Sequence, residues 1–442
     1  MDDASLAYLR DRDVSFVQVV WVDNANVIRS KMPHVDQLER SGGVVGISMA
    51  QQALPVMYDA VVPESGLGPV GEALLRPDWR TLRALPYLPG FARVLADATV
   101  GEEPWEHCPR TFLKRQVARL AAHGLELKAS FENEFFLLAE DEAGRIRPVD
   151  DTVFAATAAV LRSGPVILDI ARALIDQGID VETFYPESGP GQHELSTRFT
   201  DALAAADSQV VFRDTVHGVA ARHGLVASFL PKVFEDKAGS GCHLNLSLWR
   251  EGRNVTGDAS SATGLSALAG SFIAGIVAHL PALCALTVPT NSSYRRIRPH
   301  FWAGAFAAWG IDNREAAVRV FGAKSVPQRF ELKTSDATAN PYLALGGVIA
   351  AGLDGIERGL ELPPECRTDP GRLSEAEREA AGIVRLPSTL GQAIEALERD
   401  EVLMSALGEA RARAYVAVRR AEWEALREMP FEDEVALLLR RY

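Results

Sequence analysis

Phe131-Glu132-Asn133-Glu134-Phe135-Phe136 sets two carboxylates two residues apart inside an apolar run. Side chains alternate across a strand, so Glu132 and Glu134 share one face while Phe131 and Phe135 take the other. Two further runs have the same design. Cys242-His243-Leu244-Asn245-Leu246 puts His243 with Asn245, and Phe330-Glu331-Leu332-Lys333 puts Glu331 with Lys333. Ionised groups are rarely buried unless paired or metal-bound, so strands of this kind predict one polar cavity cut into a core.

Glu187 and Glu194 flank Ser188-Gly189-Pro190-Gly191-Gln192-His193, a turn able to return the chain so that both carboxylates face one point. Taken singly, each glutamate reads as a surface or salt-bridged residue; the coincidence of strand faces favours a shared site. Glu132, Glu134, Glu187, Glu194 and Glu331 with His243 form a carboxylate-rich donor set, which selects hard cations such as Mg²⁺ or Mn²⁺ over zinc and has room for two ions. Arginines crowd nearby segments, Asn291 to Arg298 and Asn313 to Arg319, with Arg329 just before Glu331. Guanidinium forks match carboxylate and phosphate oxygens, so beside divalent ions they suit a nucleotide phosphate or an acid substrate; surface ion pairs are the alternative reading. Lys237-Ala238-Gly239-Ser240-Gly241 is a short Gly loop beside His243 and on its own a weak phosphate-loop signal.

The bulk properties narrow the class. A chain of 442 residues, 47% hydrophobic, is long enough for a large domain and an accessory one. A net charge of -13 argues against nucleic-acid binding, which needs a basic surface. Only seven of 46 basic residues are lysine, so each lysine informs on its site. Cys108, Cys242, Cys284 and Cys366 are scattered without a CxxC pair, which predicts free thiols and fits a cytoplasmic protein with no secretory signal. Ala259 to Tyr294 contains no Asp, Glu, Lys or Arg; its Ser, Thr, Asn, His279 and Pro281 favour a buried core helix over a membrane span.

Val14 to Val22, the turn Asp23-Asn24-Ala25-Asn26 and Val27-Ile28 read as a hairpin. Gly and Pro between Val61 and Gly90 indicate loops with short strands, and a β-rich unit ends near residue 105. A helix from Thr111 to His123, with Pro109 near its start and Gly124 after it, opens the second unit. Helical periodicity follows over Pro165 to Gln177, Asp201 to His223, Leu265 to Ala278, Asn340 to Arg358 and Leu390 to Arg427, the last read as solvated amphipathic helices for scaffold or oligomer contacts.

These segments together resemble the glutamine synthetase superfamily nearly end to end. The resemblance runs through the hairpin with Arg29-Ser30-Lys31, Arg76-Pro77-Asp78, FENEFF at 131–136 and PESGPGQHE at 186–194. It continues through LPKVFEDKAGSGCHLNLSLW at 230–249, NSSYRRIRP at 291–299, NREAAVRV at 313–320 and ANPYLALGGVIAAGLDGI at 339–356. It implies an α+β protein: an N-terminal β-grasp domain over 1–105 and a large catalytic α/β domain with an antiparallel sheet over 106–442. It further implies a metal held by Glu134, Glu187 and Glu194 and another by Glu132, His243 and Glu331, both Mg²⁺ or Mn²⁺. Arg314, Arg319, Arg329, Glu182, Asn245 and Ser247 would lie on the ATP side, and Arg296 and Gly239 on the acid. The implied reaction is attack of a carboxylate on the γ-phosphate, then displacement of phosphate by an amine. The family's homo-oligomeric rings, expected here as a dodecamer, close each active site with a neighbour's small domain, and Asp59 stands near the place of the amine-binding aspartate.

Four departures cluster around the acid, the amine and one nucleotide-side position. Trp302 replaces the glutamate that closes the ammonia site, Lys333 an arginine over the reacting carboxylate, Ala238 a glutamate-binding asparagine, and Asn245 the second histidine of His-x-His. An indole cannot take up ammonium's proton but packs against an apolar or cationic amine. The expectation is an ATP-dependent ligase of glutamate with an organic amine. The alternatives are the same chemistry on another acid, glutamine synthetase itself, or a non-catalytic ring.

Overall fold

The structure is a computed structural model that describes residues 1–322 and 326–442. The hairpin forms as predicted: Phe16–Val22 pairs antiparallel with Ile28–Lys31, Val22 opposite Ile28. Asp23 closes the turn by accepting from the Val27 N–H at 2.8 Å, and Asn26 adopts φ +62°, a left-handed conformation asparagine tolerates. In the first sheet the order is Ile28–Lys31, Phe16–Val22, Phe91–Val100, Glu72–Pro77, Val45–Ser48, with two short strands also pairing Phe91–Val100. Its strands end at Pro104, and the next helix, Pro109–Ala122, starts on Pro109, whose missing N–H costs nothing in a first turn.

The second sheet runs Val181–Pro186, Gln192–Thr197, Glu126–Glu140, Cys242–Arg250, Phe330–Leu332, Val318–Val320, Trp309–Ile311. All neighbours are antiparallel except the last pair. Glu126–Glu140 shows why the sheet is two-sided. Leu127, Ala129, Phe131 and Phe135 are buried, Phe135 against Phe212 of the helix Ala202–Arg222, while Ser130, Glu132 and Glu134 point the other way. Burying a side chain of Phe or Leu size is worth about 1.5–3 kcal/mol, so this underside anchors the strand that carries the chemistry.

The charge-free stretch is the helix Ala267–Thr287, long and apolar enough to cross a membrane, yet its most apolar window is 67% buried within the protein. It lies against Pro341–Glu357 at glycine contacts: a Cβ on Gly275 would sit 2.2 Å from the Ala351 carbonyl oxygen, and one on Gly355 2.1 Å from that of Ser271. All four cysteines are free and buried.

The structure corrects some sequence expectations. The helix expected from Pro165 starts at Thr157 and keeps Pro165 inside it. Leu161 and Pro165 lie on the exposed face, where water satisfies the Leu161 carbonyl that proline leaves free. Leu390 to Arg427 is broken into Leu390–Arg399, Glu401–Leu407 and Glu409–Leu426 by Asp400, whose side chain caps Leu403, and by Gly408 at φ +80°. Nor is the last of these solvated, since Arg411, Arg419 and Glu422 are buried. Arg419 pairs with Glu422 at 2.6 Å and donates to the Asn24 carbonyl at 2.5 Å. The hairpin turn is thereby sunk into the body, with Asn26 donating to Ala337 O and Asn340 to Asp23 O, each at 3.0 Å.

His279 ties three segments together, with Asp400 Oδ2 2.6 Å from Nδ1 and Asp354 Oδ2 3.0 Å from Nε2. Burial disfavours its charge, but the hydrogen bonds to Asp400 and Asp354 outweigh it and hold the imidazole above its ordinary range. A raised histidine contributes its full stability below the unfolded value, near 6.5, and loses it as pH climbs through the folded value. His279→Gln is expected to cost roughly 1–3 kcal/mol at pH 6 and less at pH 9, read by thermal unfolding of both proteins at each pH.

Candidate functional site

Strand register brings the chemistry together. Glu132 lies opposite His243, Asn245 opposite Glu331, Glu331 opposite Arg319, and Glu134 opposite Glu194. Because alternate residues face the same way, these pairings put all of them on one wall of a cavity of about 590 Å³. Glu187 arrives by the turn the sequence suggests. Val181–Pro186 and Gln192–Thr197 form a hairpin, Glu187 N–H donates to Gln192 O at 2.9 Å, and Gly191 takes φ +67°.

The cluster is dense. His243 Nδ1 is 3.0 Å from Glu331 and 3.9 Å from Glu132, and His243 Nε2 is 3.9 Å from Glu134. One ligand atom from each of Glu132, His243 and Glu331 lies within 4.8 Å of the others. Asn245 donates to Glu132 at 3.0 Å, while Glu134 accepts from the Gly241 N–H at 2.9 Å and from Gln192 at 3.1 Å. Gly241 cannot be larger, because a Cβ would lie 2.6 Å from His243 Nε2.

Crowded like charges shift the titrations. Burial raises Glu187 to about 7 with help from the Glu134 charge, and raises Glu194 to about 10 with Glu132, Glu134 and Glu187 adding. For Glu132 and Glu331 burial acts the same way but is outweighed. The adjacent His243 brings Glu132 well below the carboxylate range, and the Lys333 charge with the adjacent His243 brings Glu331 to about 2. His243 is itself raised: burial and the Lys333 charge oppose its protonation, but the neighbouring carboxylates of Glu132 and Glu331 prevail. The donor set suits a hard divalent cation, which these carboxylates and His243 would hold and whose charge would take the place of protons on Glu187 and Glu194; Glu331 Oε2 is buried without a hydrogen bond among the described residues.

Cations line the rest of the cavity. Lys333 Nζ is 3.4 Å and Arg319 Nη1 3.5 Å from Glu331. Arg319 and Arg329 lie over the Phe321 ring at 4.2 and 4.4 Å, and Arg314 over Trp302 at 5.6 Å. Arg296 is buried and donates to Ser335 O at 2.8 Å. Gly239 is wedged beside it: a Cβ would meet Pro231 O at 2.4 Å and Arg296 Cγ at 2.8 Å. Trp302, 54% exposed at φ +54°, donates its N–H to Glu315 at 3.0 Å. Glu182 and Ala238 also line the cavity.

Two expected residues stand apart. Ser247 shares a strand face with His243 and Asn245 but is not in the cavity lining; its hydroxyl accepts from Trp249 Nε1 at 2.9 Å. Asp59 is exposed and does not line the cavity of its own chain. Sequence reasoning missed Lys232, Phe321, Phe154 and Tyr185, all in the lining. The scarcity of lysine was the one signal that pointed to Lys232; the aromatics sit in loops or at a strand end and carry no pattern.

Comparison with known proteins agrees with the geometry. Residues 106–438 match the glutamine synthetase catalytic domain. A gamma-glutamylpolyamine synthetase of Streptomyces coelicolor is 40% identical over 94% of this chain and 91% of its own length. A type-1 glutamine synthetase of Dictyostelium discoideum is 32% identical over 99% and 92%. A solved structure described as a novel glutamine synthase homolog superposes with a TM-score of 0.85 at 31% identity, covering 97% of this chain and 99% of that one.

Since burial and like charge raise Glu187 and Glu194, a bound divalent ion is expected to displace their protons and affinity to rise with pH. Calorimetric titration with Mn²⁺ in buffers of different ionisation enthalpy is expected to show proton release and tighter binding at pH 8.5 than at pH 6.5. Glu194→Gln is expected to weaken binding by about tenfold or more and to remove its share of the released protons.

Proposed function

The chain belongs to the glutamine synthetase family and is an ATP-dependent amide-forming ligase; from that premise we propose that it joins glutamate to an organic amine as a γ-glutamylamide. The observation that carries this reading is Trp302. At the mouth of the cavity, where ammonia use calls for a carboxylate, stands a half-exposed indole beside the exposed Phe301. Such a surface favours the carbon skeleton or cationic tail of an amine. The polyamine-directed relative in Streptomyces coelicolor supports the same direction.

The side chains divide the work. Glu134, Glu187 and Glu194 would hold one ion, and Glu132, His243 and Glu331 another. Bound Mg²⁺ or Mn²⁺ neutralises charge on the triphosphate and on the phosphoryl group in transfer. Arg314, Arg319 and Arg329 take the nucleotide phosphates, and Glu182 lies on the nucleotide side. Arg296 and Gly239 hold the acid, and Lys333 lies over its reacting carboxylate. That carboxylate oxygen attacks the γ-phosphorus, and the P–O bond breaks with its electron pair going to ADP. The amine nitrogen then adds to the acyl carbon, and phosphate leaves with the C–O electron pair. Trp302 has no basic atom for the proton that nitrogen sheds. Asp59, exposed on its own chain, is suited to accept it from a neighbour in a ring-type oligomer.

A second reading keeps the chemistry and changes the acid. Lys333 offers a point charge where a planar fork is expected, and Ala238 offers no amide, so both would suit an acid other than glutamate.

Phosphate release from ATP and Mg²⁺ with glutamate, across ammonium and a panel of mono-, di- and polyamines with product mass determined, tests the proposal. Release is expected with an organic amine and not with ammonium. Trp302→Glu is expected to move the ratio of kcat/KM values toward ammonium by about tenfold or more, the scale of one charged contact.

A further inference from the structure

The two ends of the cavity differ in charge balance. At the metal end, Arg319 and Lys333 both lie within salt-bridge distance of Glu331. At the acid end, Arg296 and Lys232 are 5% and 3% exposed and line the cavity, but their hydrogen bonds go only to carbonyls, those of Ser335 and Lys237. Arg296 Nε is buried with no hydrogen-bond partner. Among the described residues no carboxylate pairs with either cation, and Asp236, close in sequence, is taken by Lys237 at 2.7 Å.

Acidic charge stands further off, Asp336 toward Arg296 and Asp236 and Glu235 toward Lys232, but a buried cation with no carboxylate in contact is costly, and the cost is met when a ligand brings the anion. Lys232 shows the strain: burial first, then the Arg298 charge, pull its ammonium below the usual lysine range, with Arg296 adding. Its position is fixed from both sides. Its Nζ sits 5.7 Å from the centre of the Phe301 ring, and the carbonyl of the preceding residue, Pro231, accepts from Ser240 N–H at 2.9 Å and abuts Gly239. Lys232 is therefore tied to the loop that, with Arg296, frames the acid. Of an ammonium's three donors one is used, leaving others for a ligand.

We propose that Lys232 binds the non-reacting carboxylate of the acid substrate alongside Arg296. This rests on the reading of Arg296 as the acid-binding arginine. It adds a second cation to that subsite.

The test uses the full-length enzyme with glutamate, ATP, Mg²⁺ and the best amine of the panel. Lys232→Met is expected to raise the KM for glutamate about ten- to hundredfold, the range for a hydrogen bond to a charged group, with the KM for ATP within about twofold. Lys232→Arg, which keeps the charge, is expected to recover most of the loss. In the unmodified enzyme, glutarate is expected to compete with glutamate while 4-aminobutyrate, lacking the second carboxylate, does not. An unchanged glutamate KM in Lys232→Met, with a raised one in Arg296→Gln, overturns the role of Lys232 and leaves the acid-site reading standing. If neither variant moves that KM, the acid-site reading itself falls. Should Lys232→Met not fold, inhibition of the unmodified enzyme decides, and 4-aminobutyrate competing as well as glutarate overturns the proposal.

Discussion

Mutual repulsion of carboxylates on one sheet face is the constraint that organises this molecule. Two unit charges 4 Å apart near a protein surface repel by about 4 kcal/mol, and Glu132, Glu134, Glu187, Glu194 and Glu331 converge on one cavity. Several devices hold them there. Burial and neighbouring carboxylates favour the protonated forms of Glu187 and Glu194. His243, Lys333 and Arg319 supply positive charge. The Gly241 N–H, Gln192 and Asn245 supply donors. The apolar underside of the same strands, Phe131 and Phe135 among it, keeps the wall from relaxing. The fold stores a demand for cations that divalent ions fulfil.

Period-two alternation made the wall legible in the sequence, because FENEF, CHLNL and FELK each declare which residues share a face. Register was not legible: nothing in the sequence says that His243 meets Glu132 or that Glu331 meets Asn245. Helix interiors were read well, but their ends and breaks were misjudged where a local rule was overridden. Pro165 is tolerated because its side of the helix is wet. Arg411, Arg419 and Glu422 looked like a solvated face because periodicity counts charges without knowing that carbonyls and a carboxylate await them inside. Ser247 shares a strand face with His243 yet misses the cavity, a distance along the strand that alternation does not encode.

Common chemistry and individual specificity sit on different kinds of structure. The metal-facing residues Glu132, Glu134, Glu194, His243 and Glu331 belong to hydrogen-bonded strands, rigid and fixed in register. Trp302, Phe301, Ala238 and Lys232 belong to loops. His300 and Trp302 both take left-handed backbone conformations, and the Trp302 N–H is pinned by Glu315. A loop held this way presents a different side chain to the substrate without disturbing the sheet. Departures from the family pattern such as Trp302 and Ala238 accordingly sit on loops, while Asn245 and Lys333 lie on or next to the sheet strands.

The sunken hairpin turn bears on how the chain is made. Asn24 leaves the ribosome well before Arg419, yet its carbonyl waits for that guanidinium, 395 residues later. Asp23 and Asn26 likewise wait for Asn340 and Ala337. Until those partners emerge, a turn that is fully buried in the finished protein stays hydrated. Synthesis from one end to the other thus cannot lock this protein down piece by piece. A nascent chain stalled before the helix Glu409–Leu426 would hold this turn exposed, with its carbonyls open to water.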